Sequence, residues 1–323
     1  MALSCPRMDL VFFGSGAFGL PTLEHLATHH RVRCIVTQPD RPAGRGGRLT
    51  PTPIGAWAAE HAQGVPLLKP GHVNEPSVCS RIRAFHADAW VVIAFGQKLG
   101  RALLEGRFAI NLHASLLPRW RGAAPINAAI LAGDAQTGNS VITLADRMDA
   151  GDILAQSGRP LDPALTAGEL HDLLATDGPA LVESVLRAHA GGTLAPRSQD
   201  ETLVTLAPKL SKADGWVDFA QPAEACRRRI HGLTPWPGVT ATLGGRSLRL
   251  LRVEPLSTET QQSAVGTITN PEQGIVACGG GTALRLLTVQ PAGGRAMPWT
   301  DFARGHRIER GATLASCHGA SPC

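Results

Sequence analysis

The sequence predicts an α/β chain: a doubly wound, mostly parallel sheet followed by a small antiparallel β-barrel. Three observations carry that reading. Over the first half, the apolar runs Met8–Phe13, Val32–Thr37, Ala89–Ala94 and Phe108–Leu112 alternate with stretches of helical spacing, as strands joined by crossover helices do. Beyond about Gly191 the pattern turns to short strands separated by glycines, which suits a barrel. The length of 323 residues leaves room for two cores at about 150 residues each.

The elements follow in order. Met8–Phe13 (MDLVFF) is an apolar run ending in glycine, hence a buried strand. Leu20–Thr28, Ile54–Gln63 and Ser77–Phe85 read as helices between strands, and Leu170–His189 is a long helical pattern ended by Gly191-Gly192. Ala195–Pro208 is polar, with prolines near both ends, and reads as a linker. From Trp216 to Val289 come VTATL, SLRLLRV, GTIT, GIVAC and ALRLLTV, each bounded by turn residues. The small, polar stretch from Gly311 to Cys323 is expected to be disordered. The expected division is 1–194 for a catalytic domain, 195–208 for a linker, 209–310 for the barrel and 311–323 for a tail.

Composition narrows the function classes. Hydrophobic residues make up 43% and charged residues 18%, as in a soluble globular protein. No apolar run reaches the roughly 18 residues of a membrane span, and the start lacks the apolar core of a signal peptide. A cytoplasmic protein without membrane contact is therefore expected. Seven scattered cysteines form no C-x-x-C pair, so neither a zinc ribbon nor a disulfide framework is indicated. The net charge of +5 points only faintly to polyanionic partners.

Gly14-Ser15-Gly16-Ala17-Phe18-Gly19 fits G-x-G-x-x-G between a strand and a helix, the context of a dinucleotide site. Such a site also wants an acidic residue at the end of the second strand. Here that strand ends in Thr37-Gln38-Pro39, with Asp40 only after the proline. The glycines then serve a tight strand-to-helix turn, and a nicotinamide dehydrogenase remains the lesser reading.

The stretch from Ile110 to Ile126 is the most informative. Side chains alternate along a strand, so Asn111 and His113 share a face, at the carboxyl end where sheets of this class bind ligands. An amide donor beside an imidazole suits an oxyanion site with a proton carrier. Asp146-Arg147-Met148-Asp149-Ala150-Gly151-Asp152 adds carboxylates in a glycine-containing loop, and Asp149 there would orient His113 and favour its charged form. The same residues also admit plainer readings. A histidine at a strand end is often structural, Asp-x-Gly-Asp is often a turn, and His113, Asp149 and Asp152 as metal ligands lack a second histidine.

Asn111, His113 and Ser115–Pro118, extended by Arg-Trp-Arg-Gly-Ala-Ala-Pro-Ile and followed by Asp149–Asp152, resemble the motifs of the folate-dependent formyltransferases. Ala207–Lys212 and Pro235-Trp236-Pro237-Gly238 resemble landmarks of that family's C-terminal domain, so the resemblance spans about residues 8 to 310. It implies a Rossmann-like formyltransferase domain followed by an OB-like barrel. It implies transfer of the formyl group of 10-formyltetrahydrofolate, without a metal, to the α-amino group of methionine on initiator tRNA, by a monomer. The catalytic residues would be Asn111, His113 and Asp149. Folate would lie against Ser115, Leu116, Leu117 and Pro118, its pterin held by backbone near Phe95, Gly96 and Leu99.

The loop Thr37–Gly46 resembles the one that grips the acceptor stem, which assigns Arg41, Arg45 and Arg48 to tRNA. Arg227, Arg228, Arg229 and Arg246 of the barrel would add a second cationic contact. Three departures bear on affinity: Gly14–Phe18 lacks the usual proline, Gly47-Arg48 replaces a lysine pair, and Ala94-Phe95-Gly96 with Leu99-Gly100 replaces Ala-Tyr-Gly with Leu-Pro. Relatives with the same trio formylate amino-sugar nucleotides or glycinamide ribonucleotide, or release formate. Formylation of an amino-sugar nucleotide is the alternative activity, and an idle tRNA- or folate-binding module the alternative class.

Overall fold

The computed structural model describes residues 6–43, 47–256 and 263–316. In the first two-thirds the strands are β1 (Asp9–Gly14), β2 (Arg31–Val36), β3 (Arg41–Ala43), β4 (Arg48–Thr50), β5 (Leu67–Leu68), β6 (Ala89–Ile93), β7 (Ala109–His113), β8 (Arg121–Gly122), β9 (Gln136–Thr143), β10 (Ile153–Pro160) and β11 (Leu206–Ala207). The helices there are α1 (Leu20–His29), α2 (Pro53–His61), α3 (Pro76–Arg83), α4 (Arg101–Leu104), α5 (Pro125–Ala132) and α6 (Ala167–Ala190). Then come α7 (Ala223–Gly232), β12 (Val239–Leu243), β13 (Arg246–Leu256), β14 (Ile268–Asn270), β15 (Ile275–Ala277), β16 (Ala283–Pro291), β17 (Met297–Pro298), α8 (Trp299–His306) and β18 (Leu314–Ser316). The chain forms two compact units, one of 1–122, 137–159 and 171–206, the other of 123–136, 160–170 and 207–323.

The first unit is built on a seven-stranded sheet of order β10-β9-β7-β6-β1-β2-β5. Its central strands run parallel, β1 with β2 and with β6, and β6 with β7. β2 also pairs parallel with β5, whereas β7–β9 is antiparallel and the bonds from Thr143 N–H to Asp152 O and from Leu161 N–H to Ala135 O run β10 back along β9, so the sheet is mostly parallel. β6 (AWVVI) is buried at every position, as expected of a strand covered on both faces. Val11, Phe13, Trp90 and Val92 share one core with Ile82 of α3 and Leu103 of α4. Helix starts follow local chemistry: Thr52 caps α2 by accepting from Gly55 N–H at 2.9 Å, with Pro53 in the first turn.

In the second unit the sheet order is β14-β15-β16-β13-β12-β18, with β17 against β16. A bridge between Thr267 and Thr313 returns the last strand to the first and curls the sheet into a barrel. Trp299 and Phe302 of α8 and Cys226 and Ile230 of α7 fill its core with Val239, Leu250 and Leu284. The stretch from Gly311, expected to be disordered, instead contributes β18: Leu314 and Ala315 pair with Leu243 and Thr242. Backbone pairing along β12 orders a segment whose composition carries little apolar signal; residues 317–323 lie outside the described residues.

Candidate active site

The carboxyl ends of β6 and β7 meet where Val92 pairs with Asn111. Beyond them, His113 is buried at 6% exposure while Asn111 is half-buried. Among the described residues the Asn111 carboxamide meets no hydrogen-bond partner. His113 Nε2 lies 2.9 Å from the Trp120 carbonyl. A carbonyl only accepts, so Nε2 carries the hydrogen and Nδ1 is the nitrogen left for chemistry. Asp149 Oδ2 stands 3.7 Å from Nδ1 and accepts the Gly122 N–H at 2.9 Å.

Local sequence explains this geometry. A Cβ on Gly151 would lie 1.7 Å from the Thr143 carbonyl oxygen, so only glycine lets the Asp149 loop pass the end of β9. Thr143 Oγ1 accepts from Asp152 N–H at 2.9 Å and closes the turn. Gly122 adopts φ +125, a conformation open to glycine that aims its amide at the carboxylate. Among the described residues, three of the four non-glycine residues with positive φ, Ala94, Trp120 and Asp149, border this site. Such strain persists where the surroundings impose it, and it gathers at functional sites.

The Ser115–Pro118 loop is fixed by polar bonds. Ser115 is buried and donates from Oγ to Arg119 O at 2.7 Å. Leu117 N–H donates to Ser140 Oγ, and Gln156 Nε2 donates to Leu117 O. Leu117 packs with Ile142 and Ile153, and Leu116 covers Gly138 and Gly158. On the other side, Phe95 and Leu99 are core residues, at 2% and 4% exposure, and hold the exposed Gly96 and Lys98 between them. The Phe95 carbonyl is taken by Ser15 Oγ and Gln38 Nε2. Side chains at 95 and 99 therefore belong to the core; Asn74 Nδ2 takes the Lys98 carbonyl, and the exposed Gly96, with no side chain, is the open backbone between them.

The glycine loop behaves as a turn. Ser15 and Gly16 N–H both donate to Ala94 O, and a Cβ on Gly14 would collide with the Phe12 ring. The Ser15 and Gly16 amides are thus spent inside the fold instead of facing a pyrophosphate. Arg41 and Arg48 sit exposed on the β3–β4 hairpin, where Ala43 pairs with Arg48. Arg45 lies outside the described residues.

Of three α7 arginines expected on a cationic surface, Arg227 is buried, and Arg228 and Arg229 are half-buried. Arg227 is 5% exposed and bonds Glu224 and the Pro163 carbonyl. Arg228 donates to Ala132 O. Arg229 donates to Asp214 O and lies 3.9 Å over the Trp216 ring. The run of three charges looked solvated in sequence; helix α7 turns Arg227 inward and ties each of the three to a neighbouring carbonyl. Arg246 remains exposed, against His306.

The sequence offered no sign of Gln199. Its Nε2 donates to the carbonyls of Asp149 and Gly151, and backbone acceptors leave no trace in a residue pattern. The segment expected as a linker is bonded throughout, with Arg197 bridged to Ile153 and Glu201 paired with Arg121 and Arg147. Hydrogen bonds from Arg121 and Arg147 hold the Glu201 carboxyl down at about 2. Among the described residues no group of three His, Cys, Asp or Glu side chains could hold a metal, and no helix is long and apolar enough to cross a membrane.

Comparison with known proteins adds the wider context. The formyl transferase family model matches residues 8–186, and the model of the formyl transferase C-terminal domain matches 209–307. A methionyl-tRNA formyltransferase of Citrifermentans bemidjiense is 38% identical over 311 residues, covering 95% of this chain and 96% of that protein. One from Geobacter metallireducens is 41% identical over 249 residues, 76% of this chain and 79% of the relative. HypX from Aquifex aeolicus, solved with tetrahydrofolic acid, has a TM-score of 0.62 at 15% identity over 92% of this chain. The chain spans about half of that protein's length (47%), and the likeness is one of fold.

Proposed function

The chain belongs to the formyl transferase family, and from that premise we infer that it formylates the α-amino group of methionine on initiator tRNA, with a folate as donor. The observation that carries this is likeness along both domains to a protein of that activity, over 95% of the chain. The donor is 10-formyltetrahydrofolate, bound against Ser115–Pro118 with its pterin on the backbone around Gly96. Buried Phe95 and Leu99 flank that exposed backbone, which suits a planar heterocycle held by main-chain hydrogen bonds.

The chemistry then follows from the site. The attacking amine must be neutral, and its reference pKa near 8 makes that form accessible at neutral pH. Its nitrogen bonds to the formyl carbon, and the carbonyl oxygen becomes an oxyanion. Asn111, with no partner of its own among the described residues, donates to that oxygen; one such donor supplies roughly 3 kcal/mol in the transition state. His113 Nδ1 takes the proton from the attacking amine and returns it to N10 as the N10–carbon bond breaks. Asp149, 3.7 Å away, steadies the ring while it is charged. The steps as written balance without a metal.

Arg41, Arg45 and Arg48 grip the acceptor stem, pairing with phosphates and stacking on bases. The catalytic domain runs to about residue 194 and the barrel from 209, and the enzyme works as a cytoplasmic monomer. Transfer from 10-formyltetrahydrofolate is to be measured with methionyl initiator tRNA and, separately, with a nucleotide-linked amino sugar. Formylation of the sugar and not of the tRNA would overturn the assignment.

A further inference from the structure

Building on the role given to Asp149 above, we propose that Gln199 is a positioning residue for this reaction: its carboxamide clamps the backbone of the Asp149 loop and is itself held by Arg121. Gln199 Nε2 donates to Asp149 O at 2.8 Å and to Gly151 O at 2.7 Å, while its Oε1 accepts from Arg121 Nε at 3.0 Å. A glutamine amide has two hydrogens and one acceptor oxygen to place. Both hydrogens and the oxygen are matched here, and turning the amide over would set oxygen against two carbonyls and N–H against a guanidinium.

The support is anchored in turn. Arg121 is 4% exposed, and its Nη2 donates to Glu201 Oε1 at 2.9 Å. Arg147, from the Asp149 loop itself, reaches the same Glu201 carboxylate. Residues 199–201 therefore grasp the loop at two places, at Arg147 through an ion pair and at Asp149 and Gly151 through hydrogen bonds. The loop needs this because Asp149 sits at φ +53, a conformation that side chains other than glycine hold only when their surroundings impose it. Released, the backbone relaxes toward negative φ and draws Oδ2 away from Gly122 and His113.

The test uses the full-length enzyme carrying Gln199→Ala or Gln199→Glu, alone and combined with Asp149→Asn. Glutamate keeps the length and the Arg121 contact but exchanges two donors for lone pairs, so it removes the clamp without opening a hole. In the otherwise native enzyme, kcat should fall about 10- to 100-fold, as for a misplaced reacting group. KM for tRNA and for the folate should stay within about two-fold. With Asp149→Asn already present, the same changes should cost less than about three-fold, since no carboxylate is left to misplace. The Gln199→Glu enzyme should still unfold cooperatively, a few degrees below the native temperature, because its second oxygen faces the Asp149 and Gly151 carbonyls. Equal losses in both backgrounds, a change confined to KM, or no loss would each overturn the proposal. An Asp149→Asn enzyme of full activity would overturn the assignment of Asp149, and this proposal with it, a result distinguishable from the others by that single variant.

Discussion

The Gly122 amide donates to Asp149 Oδ2 at 2.9 Å, so the carboxylate is aimed by a backbone group that no side-chain substitution can remove. Asp149→Asn keeps an oxygen for that amide and deletes only the charge. Activity should fall by roughly 10²-fold or more, with folate binding retained in an equilibrium assay. A loss of folate binding in step with the rate would show that Asp149 serves the donor site instead.

Asn111→Ala and His113→Ala separate the two parts of the chemistry. Removing an oxyanion donor should cost about 10²- to 10³-fold in kcat, and removing the proton carrier about 10²- to 10⁴-fold. Single-turnover measurement of formyl transfer reads both. His113→Ala also removes a buried ring and its bond to the Trp120 carbonyl, so its melting temperature should drop, whereas that of the half-buried Asn111→Ala should hold.

Gly151→Ala tests the Asp-x-Gly-Asp loop through sterics alone. The new methyl would sit 1.7 Å from the Thr143 carbonyl oxygen, and a forced backbone shift of that kind costs about 1–3 kcal/mol. Thermal unfolding should register the loss, accompanied by a drop in kcat as Asp149 moves. Native activity in this variant would mean the loop can shift without consequence for Asp149.

Arg41→Ala and Arg48→Ala should weaken tRNA binding with kcat unchanged. If each arginine meets a phosphate, the slope of log affinity against log salt should shrink by about 0.7–0.9 per variant. Arg227→Ala is the contrasting case. Its guanidinium is buried against Glu224 and Pro163, so unfolding should come earlier while the salt slope for tRNA stays native.

Stability should fall on mild acidification through His231. This ring is 1% exposed and accepts the Val253 N–H on Nε2. Burial above all, with Arg227 and Arg252 adding to it and Glu169 opposing, depresses its pKa to about 4. The unfolded chain binds a proton below about 6.5 while the folded one resists until about 4, so stability is full above 6.5 and declines between the two. The difference is at most about 3 kcal/mol. Denaturant unfolding at pH 7 and pH 4.5 should show it, and His231→Gln should flatten the difference.

The elements readable in advance were those whose burial is written in composition. β1 and β6 are unbroken apolar runs sealed on both faces, and their bounds fell within a residue or two of expectation. β9 (QTGNSVIT) escaped notice although seven of its eight residues are at least partly covered, because its buried Thr137, Asn139 and Ser140 are polar. Two of them donate to carbonyls far along the chain, Asn139 Nδ2 to Leu174 O and Ser140 Oγ to Ser115 O. α7 (AEACRRRIHG) looked like a charged surface for the same reason. At the site, Asn111, His113 and Asp149 were legible because their motif is distinctive, and the structure sets His113 beside Asp149. The Trp120 carbonyl and the Gly122 amide are main-chain groups, and the Gln199 carboxamide bonds to main-chain carbonyls; every residue carries that chain alike.

The Thr267–Thr313 bridge and the β12–β18 pairing give the barrel a birth order. Synthesis runs from the N-terminus at about 5–20 residues per second, and domains tend to fold as they emerge. The first unit holds all its residues once Leu206 is made, whereas the ring of strands cannot close until Ser316 arrives, roughly 5–20 s later at that pace. During that interval β12 presents an open edge, the kind of surface that invites pairing with a foreign strand. Nascent chains stalled between those two points should therefore engage chaperones through the second unit while the first is already sealed.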